Sequence, residues 1–99
     1  MNVAVSKVST VRAVRDVLSC DLGDEAVILH PGSGTYYGLN PVGAAVWSLI
    51  QQPRSVPELL DHLLQEFDVE AGQCERDLLR VLQDMASAGL IEVVDGEAG

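Results

Sequence analysis

The chain has 99 residues, 47% hydrophobic and 21% charged, which suits one globular domain around a single core and is too short for two. A chain of this size buries only about 60–65% of the surface it exposes when unfolded, which excludes a deep enzymatic cleft and leaves a surface groove as the place for a ligand. The formal net charge of −9 argues against nucleic acid as a partner, because that affinity comes largely from Lys and Arg displacing counterions at phosphates.

Residues 1–15 hold Lys7, Arg12 and Arg15, half of the six basic residues, and no acid. They carry no helical stripe and read as a loose N-terminal arm, in which residues 11–14 could add a strand. The arm lacks the basic and long apolar regions of a secretory signal, and no apolar run approaches the ~20 residues of a membrane span. A cytoplasmic location without membrane contact is the expectation. Cys20 and Cys74 show no CxxC or Cys/His ligand spacing, so they read as small buried hydrophobes, with no metal or cofactor expected.

Residues 16–94 form the domain proper. Residues 16–21 (DVLSCD) are a short strand, and the Gly-Asp pair in Leu22-Gly23-Asp24-Glu25 is a turn signal. Ala26 to His30 (AVILH) is nearly continuously apolar, as in a central strand covered on both faces. Pro31-Gly32-Ser33-Gly34 turns the chain back through Thr35, Tyr36, Tyr37, Gly38 and Leu39. Three runs joined by short turns form an antiparallel meander whose third strand, leading straight into a helix, lies at an edge. Tyr36 and Tyr37 must point to opposite faces of that strand. Gly38 fits either a bend before the helix or the close approach of another backbone.

Asn40 and Pro41 supply a cap and a first helical position. Val42, Ala45, Val46, Leu49 and Ile50 then repeat as the stripe of a helix with one buried face. Gln51-Gln52-Pro53-Arg54 ends that helix, and the Ser55/Glu58 capping box opens a second, with Leu59, Leu60, Leu63, Leu64 and Phe67 on its apolar face. A third helix runs from about 71 to 88, with Cys74, Leu78, Val81, Leu82 and Met85 on one stripe and Gly89 as its left-handed cap. Residues 90–94 fold back as a short strand or as cover for the core, and 95–99 form a flexible tail. The fold class is α+β and winged helix-turn-helix-like, a three-stranded antiparallel sheet followed by three helices.

The order DLGDEAVILHPGSGTYYGLNPVGAAVW, then SVPELLDHLLQEFDV, then DLLRVLQDMASAGLIE resembles the PqqD family, whose members are also called RiPP recognition elements. The resemblance covers roughly residues 15–93, and YYGLNPVGAAVW is its most specific part. It implies a module that is not an enzyme. Such a module binds the leader segment of a ribosomally made precursor peptide and presents it to a leader peptidase or other modifying enzyme. In such domains the leader lies as an added strand between the third strand and the third helix. Carried onto this chain, the peptide-binding residues are Thr35, Tyr36, Tyr37, Gly38 and Leu39 on the strand, with Cys74, Leu78, Val81, Leu82 and Met85 on the helix. An 18-residue helix would span eight residues of such a leader, at ~1.5 Å and ~3.3 Å of rise per residue. The Tyr36-Tyr37 and Trp47 pattern resembles the stand-alone domains of lasso-peptide clusters. Members of the pyrroloquinoline quinone pathway, the alternative, have Asp-Gly where this chain has Gln51-Gln52-Pro53.

The residues themselves also favour peptide capture, because an edge strand offers unpaired N–H and C=O groups and an apolar helix offers side-chain pockets. For Leu78, Val81 and Leu82 a core stripe and a groove wall look identical in sequence. An enzyme would have to use His30, His62 or the carboxylates, yet His62 falls on the outward face of its helix and His30 has no identifiable partner. Ser33 has no Lys-Ser/Thr pair after it, so its glycine-flanked turn is not a phosphate loop. A DNA-reading winged helix would use Arg76 and Arg80, but these sit among Glu75, Asp77 and Asp84.

Overall fold

The computed structural model describes residues 5–94; the first four residues of the arm and the tail expected at 95–99 lie outside them. β2 (Leu18–Asp21), β3 (Ala26–His30) and β4 (Thr35–Leu39) form the expected antiparallel meander, with β3 in the middle. Helices α1 (Pro41–Leu49), α2 (Val56–Glu66) and α3 (Ala71–Ser87) follow in order.

Each helix start has an identifiable cap. The Asn40 side chain accepts from the Gly43 N–H at 2.8 Å, with Pro41 at the first position of α1. At α2 the box is reciprocal: Glu58 N–H donates to Ser55 Oγ at 3.2 Å and Ser55 N–H donates to Glu58 Oε1 at 2.9 Å. Glu70 caps α3 by accepting from the N–H groups of Gly72 and Gln73. The end of α3 is a Schellman motif. Leu90 N–H donates to the Met85 carbonyl and Gly89 N–H to that of Ala86, with Gly89 at φ +78°, where a side chain would be strained.

A second sheet completes the fold; strands near 11–14 and 90–94 were expected, but not their pairing with each other or a strand at 54–55. β1 (Thr10–Ala13) lies between β5 (Arg54–Ser55) and β6 (Ile91–Val93), antiparallel to both. Residues 10–13 are therefore a central strand rather than part of a loose arm: Val11 is 0% exposed, and Ala13 N–H donates to the Ile50 carbonyl at 2.8 Å. Arg12 and Glu92 face each other across the β1–β6 pair and form an ion pair at 2.8 Å.

The core joins both sheets to the three helices. Val11, Ile28, Val46, Ile50, Leu59 and Leu82 are among its fully buried members. The meander, expected to be covered on both sides at β3, is covered on one. Ala26 and Ile28 are buried, while Val27 and Leu29 are only half-buried on the opposite face. No helix among the described residues is long and apolar enough to cross a membrane.

Candidate peptide-binding groove

β4 has β3 as its only strand partner among the described residues, paired from His30 with Thr35 through Ala26 with Leu39. Its other edge carries the free N–H and C=O groups that a further strand requires. The alternation of the strand decides the two tyrosines. Tyr37 pairs across from buried Ile28 and packs on the core with Leu39, whereas Tyr36 is 69% exposed on the far face. An atom added at the Cβ position of Gly38 would meet nothing within 4 Å, so no part of the domain itself needs that glycine to be small.

Beside this edge runs an open groove of about 530 Å³, lined by β4 on one side and by Val81, Asp84 and Met85 of α3 and its C-cap Ala88 on the other. Leu90 and the start of α1 also contribute to it. Its size lies within the range of pockets that hold ligands. The fit of α1 against β4 depends on Gly43, where a Cβ would lie 3.4 Å from that of Leu39. A larger cavity of about 720 Å³ flanks β2, the other edge of the sheet. Ala44, Ala45, Trp47 and Leu49 of α1 wall it, but Asp21, Asp24 and Glu66 are also in its lining, so it carries three acids where the groove beside β4 carries one.

Of the residues singled out from the sequence, Tyr36, Tyr37, Gly38, Leu39, Val81 and Met85 line this groove. Thr35 opens the same strand and is exposed, outside the groove. Cys74, Leu78 and Leu82 are core residues and do not line it; the two leucines are 0% exposed. The helical step of 100° per residue explains the division. Cys74, Leu78, Met85 and Leu82 span the middle of the buried stripe, while Val81, Ala88 and Asp84 step away from it towards β4. Asp84, Ala88, Leu90, Asn40 and Gly43 also line it and were not expected there from the sequence. The spacing of Val81, Asp84, Met85 and Ala88 at i, i+3, i+4 and i+7 carries that information for the helix side, but an acid and a small alanine do not stand out as an apolar stripe.

Only the C-terminal half of α3 reaches the groove, a rise of about 10 Å from Val81 to Ala88. The five residues of β4, rather than the full helix, set the length over which a strand could pair.

Two carboxylates near the helix ends are held below the usual carboxylate range. Glu70 accepts from Gln73 and Gly72 backbone N–H groups, and Glu58 accepts from Ser55. The Cys74 thiol is pushed up by burial and secondarily by Asp77, which makes it a poor nucleophile at neutral pH.

A small α+β domain, winged-helix-like and open along one sheet edge beside an apolar helix, is the class these features define. The family model for coenzyme PQQ synthesis protein D (PqqD) matches residues 25–91, and the chain belongs to the PqqD family. Among solved structures it is similar to TbiB1 in complex with the TbiA(beta) leader peptide. The identity is 36%, with 82% of this chain and 94% of that chain covered and a TM-score of 0.75. A lasso peptide synthetase B1 complexed with its leader peptide is 22% identical, with 83% and 96% covered and a TM-score of 0.72, a likeness of fold. No curated protein sequence matches.

Proposed function

We propose that this protein binds the leader segment of a ribosomally made precursor peptide as an added strand on β4. It then presents that peptide to a leader peptidase or other modifying enzyme of a cytoplasmic lasso-peptide pathway, without catalysing a reaction itself. The observation that carries this reading is the free edge of β4 alongside the apolar groove walled by Val81 and Met85. Main-chain pairing supplies sequence-tolerant affinity there, and side chains on alternate positions enter the groove and supply selectivity. The 36% identical TbiB1, solved with a leader peptide, supports leader binding, and the Tyr36-Tyr37 and Trp47 pattern, with Gln51-Gln52-Pro53 after α1, favours the lasso assignment over the quinone pathway.

Isotope-labelled protein titrated with the TbiA(beta) leader peptide, and with a scrambled version of it, tests the proposal. Binding should shift the amides of Thr35 to Leu39 together with those of Val81 to Ala88, and slow amide exchange along β4. Shifts that cluster at Lys7, Arg12 and Arg76, or an affinity that collapses with salt as for a phosphate binder, would overturn it.

A further inference from the structure

Asp84 is the single charged side chain in the lining of the groove. It is exposed, and it has neither an ion pair nor a side-chain hydrogen bond among the described residues. The other acids of α3 and its cap are differently placed. Glu70 caps the helix, Glu75 meets Lys7 at 3.9 Å, and Asp77 accepts from Gln73 at 2.9 Å. Arg80 stands one turn before Asp84 but makes no ion pair with it. A cation placed N-terminal to an acid at this spacing is the less favourable order on a helix.

We propose that Asp84 selects a basic residue, Lys or Arg, at one position of the bound peptide. This inference rests on the groove being the peptide site. An apolar floor at Met85 and Leu90 with an acid on the rim fits a side chain that has a long aliphatic stem and a cationic tip. The stem lies along the apolar wall and the tip reaches the carboxylate. A peptide strand laid on β4 would strip water from Asp84, so a peptide with no cation there leaves the charge uncompensated, and one with an acid there adds repulsion. Same-side residues of a strand are about 6.6 Å apart, so only one such position comes level with Asp84. The net charge of −9 favours basic peptides in general, but only a local carboxylate ties that preference to one position.

The test is selection from a randomised ten-residue peptide library displayed on mRNA, using the full chain, Asp84→Asn and Asp84→Lys, each checked for fold by circular dichroism. The wild type should enrich Lys and Arg by about 1.5- to fivefold at one position fixed relative to the apolar anchor residues, the range of a solvent-accessible ion pair. Asp84→Asn should lose that enrichment and keep the anchors. Asp84→Lys should enrich Asp and Glu at the same position. If the anchors are enriched with no basic preference, or with a basic preference spread over all positions or retained in Asp84→Asn, this inference is wrong while the groove reading stands. If no common anchors emerge, the groove reading fails and this inference falls with it.

Discussion

Replacing Val81 by Asp separates peptide binding from folding, because Val81 lies in the groove wall at the margin of the buried stripe and is only half-buried. In the free protein the new carboxylate can reach water. The fold then loses about 1 kcal/mol, roughly half the ~1.5–3 kcal/mol of a fully buried aliphatic side chain, plus a few tenths for repulsion from Asp84 three residues on. A domain of this size should melt about 4–8 °C lower for each kcal/mol lost. With a peptide laid against β4 the same carboxylate is covered and unpaired, at a cost of about 3 kcal/mol or more. That corresponds to a loss of affinity of more than about a hundredfold. Isothermal titration with a leader peptide measures the second effect, and a circular dichroism melt of the same sample measures the first. A variant that melts cooperatively a few degrees lower yet binds within about threefold of wild type would show that the peptide does not cover Val81. Leu78→Asp, at a fully buried position, should abolish the cooperative melt itself and is the control for loss of fold.

Ser55→Ala should remove a cap worth about 1 kcal/mol and lower the melting temperature while leaving peptide affinity unchanged, since Ser55 does not line the groove. Lost affinity with an unchanged melt would mean the site lies elsewhere. Gly89→Ala should cost about 1–2 kcal/mol because the residue sits at φ +78°, read as a lower midpoint in urea; an unchanged midpoint would refute the cap. The pKa values of Glu58 and Glu70 are lowered from 4.5 by backbone hydrogen bonds. Their contribution to stability is therefore present above that value and is lost as pH falls through the lower folded-state pKa. Below about pH 4.5 the wild type should lose more of its melting temperature than the Glu58→Gln/Glu70→Gln double variant. Parallel pH profiles for the two proteins would rule the caps out as a source.

Signals that act over three or four residues could be read from the sequence. Asn40-Pro41, the Ser55/Glu58 box and Gly89 each satisfy backbone groups within one helical turn, so their chemistry is local. The meander was legible for the same reason, being three runs joined by short turns. The second sheet was not. Strands near 11–14 and 90–94 could be read, but their pairing joins segments far apart along the chain, and the two residues at 54–55 carry no pattern of their own. The helix wall of the groove was half legible. Apolar type alone does not separate Leu78 and Leu82, which face the core, from Val81, which borders solvent. Asp84 shares the groove face but was read only as one of the acids around Arg76 and Arg80.

The placement of β1 beside β6 has a consequence for domain architecture. Val94 N–H donates to the Thr10 carbonyl at 2.7 Å, so the start of β1 and the end of β6 lie side by side. A unit with adjoining entry and exit can be grafted into a surface loop of a larger protein as a single-stemmed insert, with little disturbance to either fold. β4 belongs to the other sheet, so its free edge takes no part in that stem. The edge of β4 would thus stay open whether the domain stood alone or was inserted in a larger chain.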